Sequence, residues 1–186
     1  MLPIVLEVAE ARVILVGQGP SALRRLRYLD EGGARNVTVF SGTAEAELRA
    51  VAAARLREGL PVERDLSGAK LVFVVGLDRE HSAEIATWGR AVGALVNVED
   101  VIDLCDFHTP AVVRRGDLTI TVSTGGKSPG LARMFRAYLD DRIEPEWEGR
   151  LDLLARERAR WYADGLEGAE VSKRTHDMIE RNGWLS

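Results

Sequence analysis

Apolar runs alternating with amphipathic helical stretches predict an α/β fold whose larger part is a doubly wound parallel sheet. Three observations carry that prediction. Val13-Ile-Leu-Val16 and Lys70-Leu-Val-Phe-Val-Val75 read as strands buried on both faces, as parallel strands are. The first is followed at once by two glycines and a helix, with Leu23, Leu26 and Leu29 on one face and Arg24, Arg25 and Arg27 around it. After residue 112 the alternation stops, and a hairpin pattern and then purely helical spacing take over. The expected domains are 1–112, the parallel sheet; 113–145, a small α+β segment; and 146–186, a helical C-terminal domain.

Composition narrows the function classes. With 46% hydrophobic and 29% charged residues, the chain can bury a core and keep a solvated surface. A formal net charge of −4, with no run rich in lysine or arginine, gives no electrostatic case for nucleic acid. The single cysteine, Cys105, excludes an intrachain disulfide and a multi-cysteine metal site. No stretch reaches the length of a membrane span, and the N-terminus lacks a basic region leading into a long apolar run. The expectation is a soluble, cytoplasmic protein.

In chain order, Leu2, Ile4, Leu6 and Val8 alternate as in an edge strand or an extended lead-in. The first core strand and its helix follow, the helix ending near Gly32-Gly33. Asn36–Phe40 reads as the second strand and Ser41-Gly42-Thr43 as its turn, with an alanine-rich helix from Ala44 to Glu58. Pro61-Val-Glu is a connector or short strand. After Lys70–Val75, Gly76-Leu77 ends the strand and Asp78 can cap a helix running to Gly93. Ala94–Val98 is the last strand of the sheet. Pro110–Thr124 reads as two strands about Arg115-Gly116-Asp117. Ser128-Pro129 starts a helix to Ile143, serine as N-cap and proline in the first turn. Trp147, Leu151, Leu154, Arg158 and Trp161 keep helical spacing, and a final helix spans Glu170–Arg181.

The strand–glycine–helix unit Gly17-Gln-Gly19-Pro-Ser-Ala22 matches the G-x-G-x-x-A pattern of a Rossmann-like dinucleotide site in its proper context. Gly17 permits the sharp turn, Gly19 lets phosphates approach the backbone, and Ala22 allows helix and strand to pack closely. Pro20 suits the first helical turn but removes one N–H that could face a phosphate. The second strand ends in Phe40-Ser41, with neither the carboxylate that selects the ribose hydroxyls of NAD nor an arginine for a 2′-phosphate, so residue chemistry leaves NAD and NADP open.

Asn97-Val-Glu-Asp100 follows the last sheet strand, where a carboxylate can serve as acid or base, or merely cap a turn. Cys105 and His108 are two potential ligands where a structural zinc site needs four, so a packed cysteine and a hydrogen-bonded histidine are expected, and no metal site. Ser123-Thr-Gly-Gly-Lys127-Ser128 sets hydroxyls, amides and a lysine at a helix start, suited to carboxylates or phosphate or to ordinary capping. Arg114, Arg115, Arg133 and Arg136 add positive charge to that segment.

Three stretches together resemble one family, the single-domain siroheme synthases: precorrin-2 dehydrogenases with or without sirohydrochlorin ferrochelatase activity. They are Val16–Arg25, Leu95–Asp100, and Cys105–Ile120 with Ser123–Arg133; the likeness runs from Leu2 to Ile143 and fades in the helical tail. The resemblance implies an NAD-binding domain at 1–112, a dimerisation segment at 113–145 and an intertwined homodimer with the tetrapyrrole between them. It implies NAD⁺-dependent oxidation of precorrin-2 to sirohydrochlorin, followed in many members by insertion of Fe²⁺ as a substrate. Asp100 matches the family's aspartate implicated in both steps, and Ser128 a serine lining the tetrapyrrole pocket. Pro20, Ser21, Gly42 and Thr43 match cofactor contacts, with Gly17, Gly19 and Gly76 completing the expected cofactor site. Asn97, Arg114, Lys127 and Ser128 are the expected substrate contacts, the cations suiting a substrate with eight carboxylates. Val75-Gly76-Leu77, Gln18 and Pro20 depart from the family pattern. With no methyltransferase segment, precorrin-2 is expected to come from another protein. Two other classes remain open: a non-catalytic nucleotide sensor or tetrapyrrole carrier, and a chelatase with a degenerate nucleotide site.

Overall fold

In the computed structural model, which describes residues 1–185, every residue of β1 (Val13–Gly17) and β4 (Leu71–Val75) is buried. Period-two alternation explains why these strands are apolar throughout. Val13 and Leu15 face one layer, with Ala22, Leu26 and Leu29 of α1 (Gly19–Glu31) and Leu48 of α2 (Ala46–Ala52). Ile14 and Val16 face the other, with Ile85 and Ala86 of α3 (Arg79–Ala91). Truncating a fully buried side chain such as Leu26 to alanine would cost about 2–5 kcal/mol.

The sheet is completed by β2 (Val37–Ser41), β3 (Leu56–Glu58) and β5 (Leu95–Val98), in the order β3-β2-β1-β4-β5 with every pairing parallel. Asp78 caps α3 as expected, its carboxylate accepting from the His81 amide at 2.9 Å. Ser82, Ile85, Ala86 and Gly89 form the buried face of that helix. Gly89 lies so near the sheet that a Cβ there would stand 2.9 Å from Val96 Cγ2.

Residues 1–8 join no strand, the lead-in of the two alternatives, and one element differs from the sequence reading. The helix expected to reach Glu58 stops at Ala52, and Ala53 turns into the left-handed region at φ 48°. A single helical turn then leads into β3, which pairs with Val39–Ser41. Pro61-Val-Glu is a connector.

The chain forms two compact units, residues 1–108 and residues 109 onward. In the second, β6 (Ala111–Arg115) and β7 (Leu118–Val122) form an antiparallel hairpin about Gly116, whose φ is 55°. The helices α4 (Pro129–Asp140), α5 (Trp147–Ala163) and α6 (Gly168–Arg181) follow. Ser128 caps α4, its hydroxyl accepting from the Leu131 amide at 3.3 Å. Arg115 closes the other end, donating to the Ile143 carbonyl at 2.7 Å and to the carbonyl and carboxylate of Asp140. A cation at a helix C-terminus is favourably placed. Trp161 and Val171 are buried in this unit, and Trp147 meets Trp184 edge to face at 6.3 Å.

Candidate functional site

The strand order reverses at β1: one neighbour is β2, the other β4. In open parallel sheets, ligands bind at that switch point, beyond the carboxyl ends of the strands. There the chain places Gln18-Gly19 after β1, Gly42-Thr43 after β2, Gly76-Leu77 after β4 and Glu99-Asp100 after β5.

Three glycines shape this edge in different ways. A side chain on Gly17 would collide with the carbonyl of Val75, so the ends of β1 and β4 close together only over a bare α-carbon. Gly19 has φ 65° and nothing within 4 Å of where a Cβ would lie, a bare and open backbone turn. Gly76, also at φ 65°, leaves a Cβ position 2.8 Å from the Gln18 carbonyl oxygen. Gln18 ties the loops together: its Nε2 donates to the Gly76 carbonyl at 3.1 Å, and its Oε1 accepts from the Thr43 hydroxyl at 2.9 Å.

Directly after Gln18 begins α1, thirteen residues long, with Pro20 in its first turn. No side chain caps its N-terminus among the described residues, and the turn carries no carboxylate. The amide-rich, positive end of the helix therefore suits a phosphate, with one donor fewer because of Pro20. The hydroxyl of Ser21 accepts from Arg24 Nη2 at 2.8 Å, and the same nitrogen reaches Glu99 Oε1 at 3.1 Å. One turn of α1 is thereby linked to the end of β5. Arg25, next in sequence, lies over the rings of Phe73 (5.2 Å) and Tyr28 (5.5 Å). Burial lowers its pKa from the ordinary guanidinium value, and the charge of Glu99 opposes that shift.

Asp100 is exposed and held at φ 62°, one of two non-glycine residues in the left-handed region among those described. Aspartate tolerates that region better than most side chains, at a cost of about 1–2 kcal/mol. Asn97 lies deeper, 5% exposed, with Nδ2 donating to the Phe107 carbonyl at 2.8 Å and Oδ1 finding no partner among the described residues. It fastens the chain running back from β5 to Phe107, which meets Phe73 edge to face at 5.3 Å. Cys105 packs against the same strand, its thiol donating to the carbonyls of Val98 (3.1 Å) and Val101 (3.4 Å). His108 is exposed. Among the described residues, no three His, Cys, Asp or Glu side chains gather as metal ligands.

The other expected contacts lie in the second unit. Arg114 donates to the Thr119 hydroxyl at 3.1 Å, and Lys127 is exposed in the loop before α4. That loop is closed by Thr124, whose hydroxyl accepts from the Ser128 amide (3.2 Å) and donates to the Ser128 carbonyl (3.1 Å). Ser128 thus serves first as a helix cap. Arg115, grouped with Arg114 by sequence, is instead engaged at the end of α4.

The switch point brings together Gly17, Gly19, Gly76 and Thr43, with Ser21 on the first turn of α1. Sequence reading had not included Gln18, Arg24 or Glu99 in the site. A polar residue between two glycines was the available signal for Gln18, but its partners lie 25 and 58 positions away. For Arg24 and Glu99, 75 positions apart, the linear pattern offers no signal.

Comparison with known proteins agrees with this geometry. A family model described as putative NAD(P)-binding matches residues 4–111, and one described as sirohaem biosynthesis protein central matches residues 115–142. The chain is 41% identical over 165 residues to a siroheme synthase of Methylococcus capsulatus, covering 86% of this chain and 34% of that one. It is 36% identical over 159 residues to the siroheme synthase of Stutzerimonas stutzeri, covering 84% and 34%. The chain thus spans about a third of the length of these relatives. In fold it is similar to SirC, a precorrin-2 dehydrogenase, with a TM-score of 0.80, 23% identity, and coverage of 100% of this chain and 93% of that one. With the NAD(P)-binding model over most of the first unit and the sirohaem central model directly after it, this chain belongs to the siroheme synthase family.

Proposed function

We propose that this chain oxidises precorrin-2 to sirohydrochlorin with NAD⁺ and passes the product on to Fe²⁺ insertion. The observation that carries the reading is the carboxyl edge of the sheet. A bare glycine turn at the switch point opens onto an uncapped helix, and an exposed carboxylate stands in a strained backbone position two strands away. The residues fit a dinucleotide. Gly19, Ser21 and the first amides of α1 would hold its phosphates; Gly42 and Thr43 would take the adenosine ribose; Gly76 would leave room beside Gln18.

When bound, the nicotinamide supplies the hydride acceptor. The second product of the oxidation is a proton, and Asp100, an exposed carboxylate, is the group we assign to take it. Chelation needs two pyrrole protons removed, which gives the same carboxylate a second use, with Fe²⁺ as substrate. Arg114 and Lys127 offer cations to the carboxylates of the tetrapyrrole. Asn97 positions the segment after Asp100 through Phe107.

We assign residues 113–145 to dimerisation and residues 146–186 to a helical accessory domain. One face of α4 supports a homodimer: Leu131 (45% exposed), Met134 (72%), Phe135 (49%) and Tyr138 (50%) follow helical spacing and face solvent. No helix among the described residues is long and apolar enough to cross a membrane.

The test is an anaerobic assay in which precorrin-2, NAD⁺ and Fe²⁺ are added in turn. The reading predicts NADH on the second addition and a metal-dependent spectral change on the third, both lost in Asp100→Ala. A wild type that binds NAD⁺ but never reduces it would instead favour a nucleotide sensor.

A further inference from the structure

At the carboxyl end of β2, where a dinucleotide sets its adenosine ribose, stands a chain of hydrogen bonds with only one possible direction. The Gly76 carbonyl can only accept, so the amide nitrogen of Gln18 faces it, at 3.1 Å. That fixes Gln18 Oε1 toward Thr43, at 2.9 Å. Because Oε1 too can only accept, the proton of the Thr43 hydroxyl is committed to Gln18. What Thr43 has left to offer a ligand is lone pairs. Gly42, Thr43 and Gly76 are all exposed, so this end of the chain of bonds is accessible.

We infer that Gln18 is a specificity-determining positioning residue: it turns Thr43 into an acceptor and thereby selects the unphosphorylated ribose of NAD⁺ over the 2′-phosphate of NADP⁺. The inference rests on the nicotinamide reading given above. A ribose hydroxyl brings a proton that Thr43 can accept, whereas a 2′-phosphate needs donors and meets a lone pair. The neighbouring cation, Arg49, already has a carboxylate partner in this chain. Arg49 donates to the Ala44 carbonyl beside Thr43 (3.0 Å), but its other arm is held by Glu58 at 2.5 Å. Glu58 is in register with Ser41 at the end of β2, so a carboxylate already answers that arginine. The usual acid at the end of β2 is missing from this chain, and an amide borrowed from the glycine loop does its work by another route.

Calorimetric titration with NAD⁺ and with NADP⁺ tests the inference without turnover. One hydrogen bond of ordinary strength corresponds to about a fivefold to tenfold change in affinity. Wild type should prefer NAD⁺. Thr43→Val should weaken NAD⁺ by that factor and leave NADP⁺ nearly unchanged, while Thr43→Ser, which keeps the hydroxyl, should retain the wild-type ratio. Gln18→Leu returns the Thr43 proton to the ligand and should narrow the NAD⁺/NADP⁺ ratio by about fivefold or more. Thermal unfolding of each variant monitors the fold, and the threonine pair carries the test if Gln18→Leu does not fold. A ratio unmoved by Thr43→Val and Gln18→Leu, with NAD⁺ still bound, overturns the role of Gln18 and leaves the cofactor reading standing. A wild type that prefers NADP⁺ overturns it as well, and one that binds neither dinucleotide brings down both.

Discussion

Gly17 and Val75 are register partners at the carboxyl ends of β1 and β4, and a Cβ on Gly17 would stand 2.5 Å from Val75 Cγ2 while colliding with the Val75 carbonyl. The switch point of the sheet is closed by this contact. Gly17→Ala should therefore force the two strand ends apart, at about 1–3 kcal/mol of stability. Gly42→Ala, where nothing lies within 4 Å of the added methyl, should stay within about 0.5 kcal/mol of wild type. Urea unfolding midpoints at constant slope would measure both.

Asp100 combines an exposed carboxylate with a left-handed backbone. Glycine suits that conformation better, so Asp100→Gly should raise stability by about 1 kcal/mol while removing the proposed base. Asp100→Asn should leave stability near wild type and abolish NADH formation from precorrin-2. Unfolding and turnover measured on the same preparations would separate the two effects. A fully active Asp100→Gly would remove the carboxylate from the mechanism.

The cap of α3 titrates at both ends. The His81 amide, then its ring, hold the Asp78 carboxyl below its ordinary value, and the Asp78 carboxylate holds the His81 ring above its own. The lowered acid contributes stability above its unfolded pKa and loses it as pH falls through the folded value. The raised histidine contributes fully below its unfolded pKa, near 6.5, and loses that contribution as pH rises through the folded value. The stability gap between wild type and His81→Ala should thus be widest near pH 5–6 and should shrink on the alkaline side. Unfolding midpoints across that range would show it.

If the exposed face of α4 is a dimer contact, a charge there should split the assembly. Met134→Glu, at the most exposed of the four positions, should sediment as a monomer at concentrations where wild type is a dimer. A wild type that is monomeric at all concentrations would withdraw the dimerisation assignment.

How much of this was legible in sequence depended on range. β1, β4 and the helix between Asp78 and Gly93 were readable because burial on both faces and a capping aspartate leave local marks. β3 was not: Leu56-Arg57-Glu58 is a short sheet edge, with both Arg57 and Glu58 exposed, and its alanine-rich approach reads as helix until Ala53 breaks it. The glycine loop was visible in outline, whereas the Gln18 bridge exists only after β1, β2 and β4 have been laid side by side. Arg115 looked like substrate-facing charge beside Arg114, yet closing α4 takes its guanidinium, a use set by Asp140 and Ile143 far along the chain.

The central claim is that a nicotinamide dinucleotide lies across the β1–β4 switch point. Titrating isotopically labelled protein with NAD⁺ and following backbone amide shifts addresses it directly. Saturable shifts centred on Gly19, Gly42, Thr43 and Gly76 are the predicted result. Amides at those four positions that stay still while NAD⁺ is raised to millimolar concentration would contradict it.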